Sequence, residues 1–286
     1  MFRFSPKLIL SAVDFSPVSE AVLRWSGQFA WAFDARVQVF HADWMEPPPY
    51  FTRSQVDDLA RQMKTHRQTL VGQLTELADR YLGGDLSWEV SIEEGHAVEA
   101  LRRQCVDARP DLVVVGSHGR SGVSRVLMGS VAENAVRDVG RPVLVARSKS
   151  GQATLEKPAR LLCAVDFSAA SKQALRVALA VTTAFNAELT VLHVAEKAET
   201  DIAGIHRRLV DWIHPELGGQ MEVTGEIRKG EAAETIVRLA SEIGAYLLVV
   251  GASPRPFFES RTLGTTAVRV IRHSRVPVLT VPETES

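Results

Sequence analysis

The sequence predicts an α/β protein made of two similar domains, each a parallel sheet covered by helices on both faces. Short apolar runs alternate with segments of helical periodicity along the 286-residue chain, a pattern typical of parallel sheets with right-handed crossovers. The second half also repeats the first, because Val13-Asp14-Phe15-Ser16 recurs 152 residues later as Val165-Asp166-Phe167-Ser168. From position 83 onward the offset is 135 residues, so the repeat unit is a whole domain.

The first half begins with a strand that runs directly into a helix. The apolar run from Leu8 to Val13 is rich in β-forming residues and ends at Asp14. Ser16 and Pro17 follow, a pair that favours a helix start with Ser16 as the capping side chain and proline in the first turn. We therefore expect Asp14 at the carboxyl end of the first strand.

The remaining elements of the first half continue the alternation. The helix after the second strand has its apolar residues at mostly helical spacing and stops at Gly83-Gly84. The run from Leu112 to Val115 is apolar throughout, which suits a strand buried on both faces. The predicted elements are a strand at 37–40, a helix from about 55 to 81, a strand at 86–92, a helix at 95–104, a strand at 112–115, a helix from about 130 to 137 and a strand at 143–145.

The repeat divides the chain into a first domain at residues 1–147, a linker at 148–158 and a second domain at 159–286. Ser, Lys, Gly and Pro dominate the linker, as expected for an exposed connection. The change of offset means that the second domain lacks 17 residues, somewhere between the counterparts of positions 43 and 83. The missing stretch corresponds to the prolines at 47–49 and the start of the long helix behind them.

Composition excludes several functional classes. The chain has 33 basic and 34 acidic side chains and a net charge of −1, so no global field attracts nucleic acid or an anionic membrane. The amino terminus lacks the apolar core of a signal peptide and no apolar run reaches membrane-spanning length, which predicts a cytoplasmic protein. Cys105 and Cys163 lie within apolar patterns, and we expect both to be core residues.

A glycine-rich loop follows the fourth strand of the first domain. Two residues separate Gly116 from Gly119, and after nine more residues come Gly129 and Ser130, where a helix begins. Glycines let a ligand approach backbone N–H groups, and a helix N-terminus attracts anions, so the loop is predicted to hold phosphate groups. It is not a Walker A loop, because no Lys follows the last glycine.

Further residues converge on this loop at the carboxyl edge of the sheet, where open parallel sheets bind ligands. Arg120 and Arg125 lie within the loop and would add charged contacts to a triphosphate. Asp14, at the end of the first strand, also faces this edge. The alternative to a binding role for Asp14 is that it only caps the first helix. The candidate nucleotide-binding residues are Asp14, Ala42, Gly116, Gly119, Arg120, Gly129, Ser130 and Val131.

These motifs give the chain a resemblance to the universal stress protein family in its tandem two-domain form, and the resemblance covers both halves nearly end to end. The family's nucleotide motif is Gly, two residues, Gly, nine residues, Gly and then Ser or Thr. Gly116, Gly119, Gly129 and Ser130 match every position. The resemblance implies two Rossmann-like domains, each with a five-stranded parallel sheet of strand order 3-2-1-4-5.

The resemblance also implies where an adenine nucleotide binds and how the domains associate. ATP would place its phosphates on the glycine loop, its ribose near Asp14 and its adenine against the backbone around Ala42. The fifth strands, at 143–145 and 278–281, would pair their edges and join the two domains. Family members commonly associate further, which implies a homodimer and a protein partner that the sequence does not identify.

The second domain carries a degenerate copy of the glycine motif. Gly251, Gly264 and Thr265 keep the spacing, but Pro254 replaces the middle glycine. Proline has no N–H and cannot adopt a positive φ at this position, so ATP binding is disfavoured. We expect either a structural partner whose pocket is partly filled by an aromatic side chain of 257–258, or a site for a more apolar ligand. The weaker candidates are Asp166, Val194, Gly251, Gly264 and Thr265.

Three functions are compatible with these patterns. The first is a non-catalytic protein whose ATP-bound loop is read by a partner. The second is a slow magnesium-dependent ATPase in which Asp14 orients water or magnesium, and the third is a dimeric scaffold that binds no nucleotide. No set of general base, nucleophile and oxyanion donors is visible, so no catalytic residue is assigned. His41 and His118 lack partners at ligand spacing and are assigned to packing, so magnesium would arrive only with the triphosphate.

Overall fold

The computed structural model describes residues 4–44, 53–119, 128–147, 159–196, 198–217, 223–252 and 265–283. Within these ranges the strands form one ten-stranded sheet, and none of the helices is both long and apolar enough to cross a membrane. The elements of the first half are β1 (Leu8–Ala12), α1 (Val18–Phe33), β2 (Arg36–Asp43), α2 (Arg53–Leu82), β3 (Trp88–Glu94), α3 (Ala97–Ala108), β4 (Leu112–Gly116), α4 (Ser130–Asp138) and β5 (Val143–Ala146). Those of the second half are β6 (Arg160–Val165), α5 (Ala169–Ala184), β7 (Glu188–Ala195), α6 (Ile202–Ile213), β8 (Val223–Lys229), α7 (Ala232–Glu242), β9 (Leu247–Ala252), α8 (Thr265–His273) and β10 (Val278–Pro282).

The two halves of the sheet have the same strand order. It is β3-β2-β1-β4-β5 in the first half and β8-β7-β6-β9-β10 in the second, and all pairs within a half are parallel. The predicted fold class, two Rossmann-like units of order 3-2-1-4-5, is therefore confirmed.

The halves are joined edge to edge by their fifth strands, as predicted. β5 and β10 pair antiparallel, with Leu144 opposite Leu279 and Val145 opposite Val278. This pairing covers two sheet edges that would otherwise be open to association. Because it is antiparallel, the carboxyl ends of the strands in the two halves point toward opposite edges of the sheet.

Alternate residues of the central strands supply two hydrophobic cores, one on each face of the sheet. Ile9 of β1 and Leu112 of β4 belong to the core shared with α1, α2, α5 and α6. Leu10 and Val113, one residue further along each strand, belong to the core shared with α3, α4, α7 and α8. Successive strand residues face opposite sides, so burial on both faces accounts for the continuous apolar runs in the sequence.

Aromatic side chains pack between the two halves on the α1 and α5 face. Trp25 is fully buried, and its ring lies 4.7 Å from that of Tyr246. The Tyr246 hydroxyl donates a hydrogen bond of 2.6 Å to Gln28 Oε1, and burial raises the pKa of Tyr246. Phe29 meets Phe185 edge-on at 5.2 Å. The first half therefore contributes side chains from α1 to a core that both halves share.

The helix between the second and third strands differs most between the halves. In the first half α2 has 30 residues, whereas its counterpart α6 has 12. The length difference lies where the sequence repeat predicts the missing 17 residues. The third strands that these helices lead into have seven residues each, so the change leaves the sheet intact.

An ion-pair cluster follows the shortened helix in the second half. Glu216 lies in a single 3₁₀ turn after α6 and accepts hydrogen bonds from Arg176 Nε at 2.8 Å and from Lys172 Nζ at 3.2 Å. These hydrogen bonds, that from Arg176 first, hold the pKa of Glu216 below its usual value. Lys172 also lies over the Trp212 ring, which packs edge-on against Phe167. Charged and aromatic side chains thus pack beside the first βα turn of the second half.

Candidate nucleotide-binding cleft

A cleft in the first half opens at the carboxyl ends of β1, β2 and β4. Its volume is about 160 Å³, and it brings together seven of the eight residues that the sequence predicts for the site. The eighth, Arg120, lies outside the described residues, as does Arg125. The predicted residues that line the cleft are Asp14, Ala42, Gly116, Gly119, Gly129, Ser130 and Val131.

The Asp14 carboxylate is oriented by the turn that connects β1 to α1. Asp14 Oδ1 accepts a hydrogen bond of 3.0 Å from the Ser16 N–H and one of 3.1 Å from Ser19 Oγ. The other oxygen, Oδ2, faces Gly119, because a Cβ atom at position 119 would lie only 2.9 Å from it. Asp14 therefore both braces the start of α1 and presents an oxygen to the glycine loop.

The turn after Asp14 has a strained backbone in both halves. Phe15 has φ 60° and Phe167, its counterpart, has φ 62°, a left-handed conformation that bulky residues rarely adopt. The Phe15 ring packs against His41, whose Nδ1 lies 2.8 Å from the Val13 carbonyl oxygen. His41 is buried and links the ends of β1 and β2, in agreement with the packing role predicted for it.

The cleft positions require glycine because neighbouring atoms approach the backbone closely there, and not because the backbone is left-handed. None of Gly116, Gly119 and Gly129 has a positive φ, so φ gives no reason to exclude proline at position 119, while Pro254 itself lies outside the described residues. A Cβ atom on Gly119 would contact the Asp14 carboxylate, and one on Gly116 would lie 2.9 Å from Val18 Cγ1. A larger residue at 116 or 119 would therefore fill the space between these glycines and the first βα turn.

The N-terminus of α4 faces the cleft. The Gly129 N–H donates to the Ser117 carbonyl oxygen at 2.9 Å, which closes the loop and leaves this group engaged. Ser130 and Val131 are the first two helical residues. Like the first N–H groups of any α-helix, theirs have no carbonyl acceptor within the helix. Gly129 thus positions the helix, while Ser130 and Val131 supply the donors suited to an anion.

The second half has a corresponding cleft of about 200 Å³. Asp166, Val194 and Gly251 line it, whereas Gly264 lies outside the described residues, together with Pro254 and residues 257–258. Thr265 begins α8, and the next two residues, at 266 and 267, line the cleft.

The Asp166 carboxylate is bound by different groups from those that bind Asp14. Its Oδ1 accepts hydrogen bonds from the N–H of Ser168, at 3.0 Å, and from the Ser168 hydroxyl. Burial opposes ionisation of Asp166, but these hydrogen bonds outweigh it and lower its pKa. A Cβ atom would also have less room at Gly251 than at Gly116, because at Gly251 it would lie 2.7 Å from the backbone of Ala170.

The helix starts differ from the prediction in one respect. Ser16 does not cap α1: the cap position is Pro17, and among the described residues the buried Ser16 Oγ has no hydrogen-bond partner. In the second half, Ser168 is the cap of α5 and accepts from the Ser171 N–H at 3.1 Å. The first helix begins one position later in the repeat, which moves the Ser16 hydroxyl out of reach of the first turn.

Two features of the site were missed in the sequence. Ser19 and Ser171 occupy equivalent positions, and each hydroxyl accepts from the N–H of the adjacent aspartate, Asp14 or Asp166. Their shared offset of 152 residues was a usable signal, because both lie just beyond the repeated motif. The phenylalanine at 15 and 167 is itself part of the repeated motif, but nothing in the sequence indicated its left-handed backbone, since phenylalanine is not a residue that turn chemistry selects.

Comparison with known proteins identifies the family. The model of the universal stress protein family matches twice, at residues 6–147 and 159–282. A universal stress protein of Mycolicibacterium smegmatis is 26% identical over 295 residues, covering 96% of each chain. Universal stress protein Rv2005c of Mycobacterium tuberculosis is 26% identical over 291 residues, covering 95% of each.

A solved structure shows the same fold over the whole chain. It is a universal stress protein from Archaeoglobus fulgidus, which aligns with a TM-score of 0.76 and 23% identity over 99% of this chain and 100% of its own. The two family matches together span most of the 286 residues. The chain therefore belongs to the universal stress protein family.

Proposed function

We propose that this chain is an ATP-binding, non-catalytic stress-response protein that holds the nucleotide in its first half. The observation that carries the proposal is the convergence of Asp14, Ala42 and the glycine loop on one cleft at the N-terminus of α4. Carboxyl-edge clefts of open parallel sheets are the usual ligand sites of this architecture. The domain boundaries that we propose are those of the sequence repeat, at 1–147 and 159–286, with a linker at 148–158.

The chemistry of the lining residues supports a division of the cleft into a phosphate end and a base end. Ser130 and Val131 offer N–H donors and the positive end of the α4 dipole, which favour phosphate oxygens. Asp14 is a hydrogen-bond acceptor, so it suits a ribose hydroxyl. It suits a phosphate less well, because the negative charges of a carboxylate and a phosphate repel each other. The apolar surface around Ala42 suits the adenine ring, and magnesium would be carried by the triphosphate.

The second half fits the role of a divergent partner. Its Asp166 is engaged by the α5 cap, and Gly251 packs directly on the backbone of α5. In both cases a residue of the potential site is engaged in packing or capping α5, and is less available to a ligand. We therefore expect one nucleotide per chain.

Calorimetric titration of the purified chain with ATP tests the proposal. Gly129→Val is expected to abolish binding, because the valine methyl groups would stand at the helix N-terminus where the phosphates are proposed to lie. The variant should fold, since its Cβ meets only ordinary contacts and φ is −64°. Gly264→Val, at the equivalent position of the second half, is the matched control and should leave binding unchanged.

The outcomes separate the three candidate functions. With ATP at a hundredfold excess over its dissociation constant, the free energy of unfolding should rise by about 2.7 kcal/mol. A stoichiometry of two would contradict the difference between the halves. No binding and no stabilisation would leave the scaffold as the surviving function, and turnover near the usual enzyme median of about 10 per second would favour an enzyme.

A further inference from the structure

Two aromatic rings stack on segments that also contribute residues to the first cleft. Trp44 follows the last residue of β2, and His96 is the residue at the N-cap of α3. Their ring centroids lie 4.0 Å apart with an interplanar angle of 26°. Trp44 is nevertheless 52% exposed, so a large apolar surface remains open to solvent on this side of the molecule.

The ring pair lies next to residues that line the cleft. Ala42 and Ala97 both line it, and they are two residues and one residue away from Trp44 and His96, respectively. A hydrogen bond of 3.0 Å from the Gly95 N–H to the Asp43 carbonyl oxygen ties the two segments together. The ring pair therefore belongs to the two segments that supply Ala42 and Ala97 to the cleft, although the rings themselves are not among its lining residues.

The second half has no aromatic residue at either position. In the repeat, Glu196 is equivalent to Trp44 and Glu231 is equivalent to His96. Glu231 caps α7 by accepting from the Glu234 N–H at 2.9 Å, and its carboxylate pairs with Arg269 at 2.7 Å. The hydrogen bond from the Glu234 N–H is the main cause that lowers the pKa of Glu231. Carboxylates cannot offer a stacking face, so the aromatic pair is a feature of the first half.

We propose that Trp44 stacks on the base of the nucleotide held in the first half and that His96 is a positioning residue for its ring. The inference rests on the proposed function, because it assigns the wall of the base end of the same cleft. An indole ring gains contact area and ring–ring attraction from a planar base, and a purine offers the larger face. The wall therefore favours purine over pyrimidine nucleotides.

The test measures the dissociation constants of ATP and CTP for wild-type protein and for Trp44→Ala. Removal of a base-stacking aromatic is expected to weaken ATP binding about 5- to 100-fold. CTP binding should weaken less, so the preference for ATP should shrink. Trp44→Phe should restore most of the ATP affinity, because phenylalanine retains a stacking face.

Matched variants isolate the contribution of the ring pair. Trp31 is 78% exposed near the far end of α1, about 20 Å along the helix from its start, so Trp31→Ala should change neither affinity. His96→Ala should weaken ATP binding less than Trp44→Ala, and His96→Phe should restore it by rebuilding the stack. Tryptophan fluorescence adds a second readout, because quenching on ATP addition should be absent in Trp44→Phe.

The failure of this inference is distinguishable from failure of the proposed function. If wild-type protein binds ATP and Trp44→Ala binds it with the same affinity and the same preference over CTP, the stacking role is wrong. If affinity for ATP and CTP falls by the same factor, purine selection is wrong. If the wild-type chain binds no nucleotide, both the inference and the proposed function are overturned.

Discussion

Asp14 and Asp166 occupy the same place in the two halves, yet their carboxylates have different surroundings. Asp14 Oδ1 accepts from a backbone N–H and from Ser19, and its Oδ2 faces Gly119. Asp166 is bound by both polar groups of Ser168, the cap of α5. The difference teaches that turns with the same residue types and the same strained phenylalanine can orient their aspartates differently, with Ser19 donating in one half and the helix cap Ser168 in the other.

The glycines at the carboxyl ends of β4 and β9 also differ between the halves, and they give the largest expected effect. Gly251→Ala should lower the free energy of unfolding by about 3 kcal/mol, because its Cβ would overlap the backbone of Ala170 and Ser171, which cannot move alone. Gly116→Ala should cost about 1 kcal/mol, since the Val18 side chain can shift. Urea unfolding of both variants measures the difference, and equal losses would show that the two loops pack alike.

The ion-pair cluster predicts a pH dependence that belongs to the second half. The pKa of Glu216 lies below its ordinary value of 4.5, so its contribution is present above that pH and is lost as the pH falls through the lowered pKa. Glu216→Gln should lower the free energy of unfolding by about 2 kcal/mol at pH 7, because hydrogen bonds to charged partners are weakened.

The two proteins should converge in stability as the pH falls below 4.5 and through the lowered pKa, because the wild-type carboxyl then becomes protonated. Denaturant unfolding at several pH values checks this, and the difference between the proteins cancels the titration of groups they share. A difference that stays constant from pH 7 to the most acidic pH at which both proteins still fold would contradict the role of the charge and point to packing alone.

The smallest expected effect has opposite signs in the two halves. Ser168→Ala should cost about 1 kcal/mol, because it removes the cap of α5. Ser16→Ala should be neutral or stabilising by a few tenths of a kcal/mol, since it removes a buried hydroxyl that has no partner among the described residues. Thermal unfolding of the pair measures both, and equal destabilisation would mean that Ser16 caps its helix after all.

Much of the fold could be predicted because its signals are local. The strands and helices follow from apolar periodicity, and the repeat offsets place the shortened helix between β7 and β8. The lining of the first cleft also followed, because the carboxyl ends of neighbouring parallel strands meet at one edge. Each of these inferences needed only the order of elements and the type of residue at their ends.

The features that escaped prediction depend on contacts between distant segments. The bond between Tyr246 and Gln28 joins residues 218 positions apart, and no periodicity marks either residue as an interface residue. The stack of Trp44 on His96 likewise depends on how β2 and β3 end side by side. The cause of the glycine requirement was also invisible, because a sequence cannot distinguish a glycine needed for φ from one needed for space.

The antiparallel pairing of β5 with β10 relates the two halves by an approximate twofold axis, and the divergence of their sequences makes the two ends of the molecule different. Two separate copies of one domain paired in this way would be related by exact twofold symmetry and would present identical clefts at both ends. Fusion of the copies in one chain preserves the geometry but lets each end change independently, as Trp44 and Glu196 show. A molecule that recognises the edge with the aromatic wall therefore meets this protein in a single orientation, with one binding event per chain.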